Sequence, residues 1–216
     1  MSVFDAVFFD LDGTLTDTEK YYQMTWPAAL EHFGYHASPE MVLEMRSLSR
    51  PFAIARFKEW FGEEAGYDEI REYRKSMTDA LFEDREIPLK PGAVELLCRL
   101  KEEGITSALV TAQHIERAKK NLEKTGLDRY LSRVIAADMV KLGKPAPDIY
   151  LFACRELGIR PERALAVEDS PNGVKSAYGA GCKVVMIPDL TEPDEELTQM
   201  LYARADKLTD IIGLLY

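Results

Sequence analysis

Asp5-Ala6-Val7-Phe8-Phe9-Asp10-Leu11-Asp12-Gly13-Thr14 decides the fold. An apolar run with an acid at each end, too short for an ordinary helix, reads as a buried strand whose C-terminal end meets solvent at Asp10. Asp12-Gly13-Thr14 then breaks it, and Gly13 gives the backbone freedom to turn sharply. Asp10 and Asp12 stand two residues apart, so both carboxylates can face one side of the strand end.

Downstream, the same pattern returns. Pro91-Gly92 opens a helix that runs through Glu103, Gly104 caps it, and Ile105 to Thr111 is the second strand. A helix near Ile115 to Lys124, a strand at Val134 to Ala137, a helix at Asp148 to Leu157 and a strand at Ala164 to Glu168 continue the alternation. Ser170-Pro171 starts another helix, closed by Gly179 and Gly181, and Lys183 to Ile187 is a further strand. Strand alternating with helix predicts an α/β fold, a Rossmann-like, doubly wound parallel sheet covered on both faces.

One stretch breaks the rhythm. From Thr18 to about Arg85 the sequence is helical in character, with turn signals at His36 to Pro39 and Gly62 to Gly66. It is far too long for a connection that usually takes 2–6 residues. We therefore expect an all-helical cap domain, residues 17–85, inserted into a core made of residues 1–16 and 86–216, sitting as a lid above the sheet's C-terminal edge.

Composition narrows the function classes. The 216 residues are 46% hydrophobic and 30% charged, a globular profile. No apolar run approaches a bilayer span and no signal-peptide layout appears, so a cytoplasmic protein is expected. A net charge of −10 with no polybasic cluster argues against nucleic acid and anionic membranes as partners. A small molecule is the expected partner, and the chain is expected to be a monomer or weak homodimer. Cys98, Cys154 and Cys182 are widely spaced with no CxxC pair, and read as small core residues.

Ligands of open parallel sheets bind at the C-terminal strand ends. The polar residues closing the predicted strands are Asp10, Thr111, Asp138 and Glu168-Asp169, and Lys144 lies in the loop after the third. Acids, a hydroxyl and a lysine converging on one edge match a metal-assisted phosphate site. There Asp10 can attack phosphorus once a cation neutralises its repulsion from the phosphate, giving an aspartyl phosphate. Asp12 can protonate the leaving oxygen and later deprotonate the next nucleophile. Taken alone, the pair reads equally well as the cap of a turn.

Four motifs in order weigh against that blander reading. Asp10-Leu-Asp12-Gly-Thr14-Leu-Thr-Asp17-Thr-Glu19, Val110-Thr111-Ala112, Gly143-Lys144-Pro145-Ala146-Pro147-Asp148 and Val167-Glu168-Asp169-Ser170-Pro171-Asn172-Gly173 resemble the four motifs of the haloacid dehalogenase superfamily. The resemblance implies that Thr111, Ala112 and Lys144 bind the transferred phosphate. It also implies that Asp10, the Asp12 carbonyl and Asp169 hold Mg2+, with Glu168 binding it directly or through water. Haloacid dehalogenases proper attack carbon and lack the second aspartate; the presence of Asp12 points to phosphorus.

The helical insertion resembles the cap of the subfamily containing β-phosphoglucomutase, sugar-phosphate phosphatases and phosphoglycolate phosphatase. Arg46-Ser-Leu-Ser-Arg50 is similar to the cap segment that grips the sugar and its second phosphate in the mutase, with Arg50 the better-matched residue. Tyr22 stands where the mutase has a histidine, which tilts the expectation to a Mg2+-dependent phosphatase of a small phosphorylated metabolite, a sugar phosphate. A β-phosphoglucomutase-like mutase is the alternative, and a non-catalytic phosphoaspartate module a third reading that the presence of Asp12 disfavours.

Overall fold

The computed structural model describes residues 2–216 and forms one sheet of six parallel strands. They are β1 (Ala6–Phe9), β2 (Thr106–Thr111), β3 (Arg133–Ala136), β4 (Ala164–Glu168), β5 (Lys183–Met186) and β6 (Ala203–Arg204). Their order is β3-β2-β1-β4-β5-β6. The chain starts at the centre, winds outward through β2 and β3, then returns to build the other half through β4, β5 and β6. This is the expected doubly wound α/β architecture. Its reversal point lies at β1, where the flanking loops part and leave a crevice.

Period-two alternation sorts the strand side chains between two cores. Val7, Phe9, Leu109, Leu165 and Val167 are fully buried on one face with α5 (Ala93–Glu102) and α6 (Ile115–Thr125). Ala6, Phe8, Val110 and Ala166 fill the other with α7 (Asp148–Leu157) and α8 (Pro171–Gly179). Leu96, Leu97 and Leu100 of α5 are wholly inaccessible. Burying each contributes about 1.5–3 kcal/mol, enough to hold α5 against the sheet.

Between β1 and α5 lie α1 (Glu19–His32), α2 (Pro39–Glu44), α3 (Arg50–Phe61) and α4 (Tyr67–Leu81). They close on a third core, in which Trp26, Phe57 and Tyr67 pack ring to ring. Two breaks between these helices fall at the expected turn signals. The third, between α2 and α3, has no glycine to announce it and turns through Ser47 in the left-handed region (φ 54°). A non-glycine residue there is uncommon and costs about 1–2 kcal/mol. The strain is held by contacts to the sheet's loops: Ser49 N–H donates to the Lys144 carbonyl (2.9 Å), and Asn172 Nδ2 donates to the carbonyls of Glu44 (3.0 Å) and Arg46 (2.8 Å).

Smaller differences are local. β3 starts and stops one residue earlier than expected, since Ala137 enters a 3-10 turn. The two-residue β6 is an addition to the sequence reading.

Candidate active site

β1 delivers Asp10 to the crevice. Register pairs Phe9 with Val167, and Asp10 N–H donates to the Val167 carbonyl (3.1 Å), so the next pair in line is Asp10 and Glu168. Lys144 arrives from the loop after β3, followed by a cis peptide to Pro145. Its Nζ lies 2.5 Å from Asp10 Oδ1 and 2.6 Å from Glu168 Oε1. All of these groups are buried, as is Asp169. Tyr150 OH donates to Glu168 Oε1, while Glu168 Oε2 has no hydrogen-bond partner among the described residues.

Two glycines make this concentration of carboxylates sterically feasible. Gly13 takes φ +83°, and a Cβ there would fall 2.4 Å from Asp169 Oδ2. At Gly173 a Cβ would fall 1.8 Å from Glu168 Oε2.

Asp10, Glu168 and Asp169 each offer an oxygen within 4.8 Å of the others. Glu19, the first residue of α1, is buried beside them; its carboxyl lies in the field of Asp169, Asp12 and Asp10. Four buried carboxyls thus face two buried cations, Lys144 and Arg46, leaving two uncompensated negative charges. Burial pushes the Asp10 and Glu19 carboxyls well above their ordinary range. Asp169 is pushed up to about 7, chiefly by burial, with Arg46 opposing and Glu168 adding to the rise. Lys144 stays protonated: burial favours its neutral form, but Asp10 and Glu168 together outweigh that and raise its pKa. An all-oxygen donor set, a spare carboxylate oxygen and a charge deficit of two fit a hard divalent cation.

Asp12 faces the start of α1 and the loop after β2. Its Oδ1 accepts from Thr18 Oγ1 (2.7 Å) and Tyr22 OH (2.9 Å), and its Oδ2 from Gln113 Nε2 (2.6 Å). Gln113 is held in turn by Asn121 Nδ2 (3.1 Å). Burial and the Asp12 charge push the Tyr22 phenol up, so it remains a donor.

Thr111 is buried at the end of β2. Its Oγ1 accepts from Gln113 N–H (3.1 Å), while Asp138 Oδ1 accepts from the Ile115 amide at the start of α6 (3.0 Å). Asp138, one of the strand-end acids, is thus spent on that helix. Ala112 and His114 line the cleft alongside Thr111, whereas Lys141 is exposed outside it.

Arg46 and Arg50 part company. Arg46 is buried: Nη1 lies 3.4 Å from Asp169 Oδ2 and Nη2 donates to Thr191 Oγ1 (2.7 Å). Arg50, expected to be the better phosphate ligand, is exposed at the start of α3 and forks onto Asp68 at the start of α4 (Nε to Oδ1, 2.7 Å). The structure does not bring it to the cleft, because the turn through Ser47 sends Arg46 inward and the first turn of α3 outward. Thr18, Glu19, Gln113 and Tyr150 are additions to the sequence reading. Glu19 closes the first quoted motif, the one signal that could have found it.

The family model described as haloacid dehalogenase-like hydrolase matches residues 4–181. Hexitol phosphatase A of Escherichia coli (strain K12) is 32% identical over 192 residues, 86% of this chain and 87% of that protein. β-Phosphoglucomutase of Bacillus subtilis (strain 168) is 29% identical over 182 residues, 82% of this chain and 80% of that one. Among solved structures, the D10N mutant of CbbY from Rhodobacter sphaeroides in complex with xylulose-(1,5)bisphosphate superposes with a TM-score of 0.77 at 27% identity, covering 96% of both chains.

Proposed function

The chain belongs to the haloacid dehalogenase-like hydrolases, and from that premise we propose a magnesium-dependent phosphatase that acts on a small phosphorylated metabolite, a sugar phosphate, through a phosphoryl-Asp10 intermediate. The observation that carries this reading is the buried Asp10, paired with Lys144 inside an acid cluster two positive charges short of balance. Hexitol phosphatase A among its relatives supports hydrolysis, and the sugar phosphate bound to CbbY supports the substrate class.

The roles follow from position. A cation held by Asp10, Asp169 and the Asp12 carbonyl, with Glu168 directly or through water, supplies the positive charge that lets a carboxylate approach phosphate. An Asp10 oxygen attacks phosphorus and the bond from phosphorus to the leaving oxygen breaks. Lys144 offsets charge on the phosphoryl oxygens, alongside Thr111 and the Ala112 amide. Asp12 donates its proton to the leaving oxygen. In the second half water attacks phosphoryl-Asp10, gives a proton to Asp12, and the bond between phosphorus and Asp10 breaks to release phosphate. Residues 17–85 act as the lid, docked over the site through Arg46, Ser49 and Asn172.

The same chemistry serves a mutase if a second sugar hydroxyl replaces water, and the Bacillus relative keeps that reading in play. Phosphate release from a panel of sugar phosphates, with β-glucose 1-phosphate followed in parallel for conversion to glucose 6-phosphate, separates them. Magnesium-dependent release that EDTA abolishes is expected. Isomerisation without release would establish the mutase, and silence in both assays would leave a non-catalytic module.

A further inference from the structure

Gln113 is tied down along its whole length. Its N–H donates to Thr111 Oγ1 (3.1 Å) at the end of β2, and its carbonyl accepts from Ala137 N–H (2.9 Å) just beyond β3. The backbone is thus pinned between two strand ends, and the buried side chain, 8% exposed, bridges from Asp12 to α6. Nε2 donates to Asp12 Oδ2 (2.6 Å), and Oε1 accepts from Asn121 Nδ2 (3.1 Å). An ionised carboxylate can only accept, so the sense of this chain is set from Asp12 outward: Nε2 faces Asp12, which leaves Oε1 for Asn121. Gln113 borders the cleft with Asp10 and Asp12, whereas Asn121 borders the groove between α4 and α6.

The two oxygens of Asp12 differ in what they leave free. Oδ1 takes two donors, Thr18 Oγ1 (2.7 Å) and Tyr22 OH (2.9 Å), whereas Oδ2 takes only Gln113 among the described residues. A proton carried by Asp12 therefore belongs on Oδ2, where a lone pair stays open beside the Gln113 amide. That proton has two competing acceptors. One is the leaving oxygen of a substrate. The other is Gln113 itself, because its amide turned end for end would present Oε1 to the Oδ2 hydroxyl and keep the proton within the protein. Asn121 opposes this turn: with its donor on Oε1, the Gln113 amide can turn only if the Asn121 amide turns with it.

We propose that Gln113 and Asn121 are positioning residues for proton transfer by Asp12, a relay from α6 that reserves the proton on Oδ2 for the substrate's leaving oxygen. The proton leaves Oδ2 as the bond from phosphorus to the leaving oxygen breaks, and a proton returns there from water when phosphoryl-Asp10 is hydrolysed. The inference rests on the phosphatase reading above.

The test is dependence on the leaving group. p-Nitrophenolate departs without a proton, whereas phenyl phosphate, of similar shape, has a poorer leaving group that gains from an aimed acid. Asn121→Asp keeps the size of the side chain and reverses its hydrogen bond: a carboxylate can only accept, so it draws Nε2 to itself and turns Oε1 toward Asp12. The variant should lower kcat/KM for phenyl phosphate by about tenfold, with KM little changed, while p-nitrophenyl phosphate stays within about twofold of wild type. Asn121→Ala removes the partner without reversing it and should give the same order with smaller losses; it carries the test alone if circular dichroism shows that Asn121→Asp does not fold. Equal losses on both substrates would make the pair merely structural, and no loss on either would detach it from Asp12; each overturns the inference and leaves the phosphatase reading standing. Wild-type protein inactive on both substrates overturns the phosphatase reading, and the inference with it.

Discussion

Arg46 and Arg50 are four residues apart, the spacing that puts two side chains on one helix face, yet one is buried against Asp169 and the other pairs with Asp68 in solvent. Arg46→Ala removes a buried counter-charge from the acid cluster and should lower kcat/KM for sugar phosphates by about 10–100-fold. Arg50→Ala breaks an exposed pair and should stay within about twofold of wild type. Steady-state kinetics on both variants decide it: comparable losses in the two would mean that Arg50 reaches the substrate. The difference was unreadable in sequence because the turn between them uses Ser47 at φ 54°, a residue that carries no turn signature. Tyr22 was hidden in a similar way, since an aromatic at helical spacing looks the same whether its hydroxyl meets solvent or Asp12. Asp10 and Lys144, in contrast, were legible as a strand-end acid and as the lysine of a strand-end loop.

At the scale of elements, the strands aim the chemistry and the loops behind them must be narrow. Gly173, in the first turn of α8, lies against the Glu168 carboxylate so closely that any side chain must displace it. Gly173→Ala is expected to fold, because alanine suits a helix, but to weaken magnesium binding by about tenfold or more as Glu168 is pushed aside. The concentration of magnesium giving half-maximal activity measures this; an unchanged value would remove Glu168 from the metal site. The bounds of α7 and β4 matched their residues, since Pro147 and Gly158 bracket the helix and a buried run fills the strand. β6 did not declare itself, because two residues paired at a sheet edge carry no periodicity.

Over the whole molecule, buried charge concentrates at Asp10, where four buried carboxyls face two buried cations. That cluster makes stability depend on pH and metal together. Asp169 has a folded pKa of about 7 against an ordinary 3.8, and Asp10 and Glu19 are raised as well. The folded state therefore binds more protons than the unfolded chain between about pH 4 and 7, so stability in EDTA should fall as pH rises through that window. The lowered carboxyls of Asp68 and Glu72 act with the opposite sign, but their stabilisation is lost only below the ordinary carboxylate range. Magnesium competes with protons for the cluster's oxygens and should raise Tm more at about pH 7.5 than at about pH 5.5. Equal shifts at both values would place the cation elsewhere. No helix among the described residues is long and apolar enough to cross a membrane.

Transfer of the phosphoryl group to Asp10 leaves an acyl phosphate that borohydride traps. Wild-type protein mixed with a sugar phosphate that it turns over and with magnesium is quenched with sodium borohydride, which reduces an acyl phosphate to the alcohol, then digested for peptide mass spectrometry. Homoserine at position 10, absent without substrate and absent in Asp10→Asn, is the predicted result. Unmodified Asp10 during turnover, or the reduced alcohol at another aspartate or a glutamate in its place, would contradict phosphoryl transfer to Asp10.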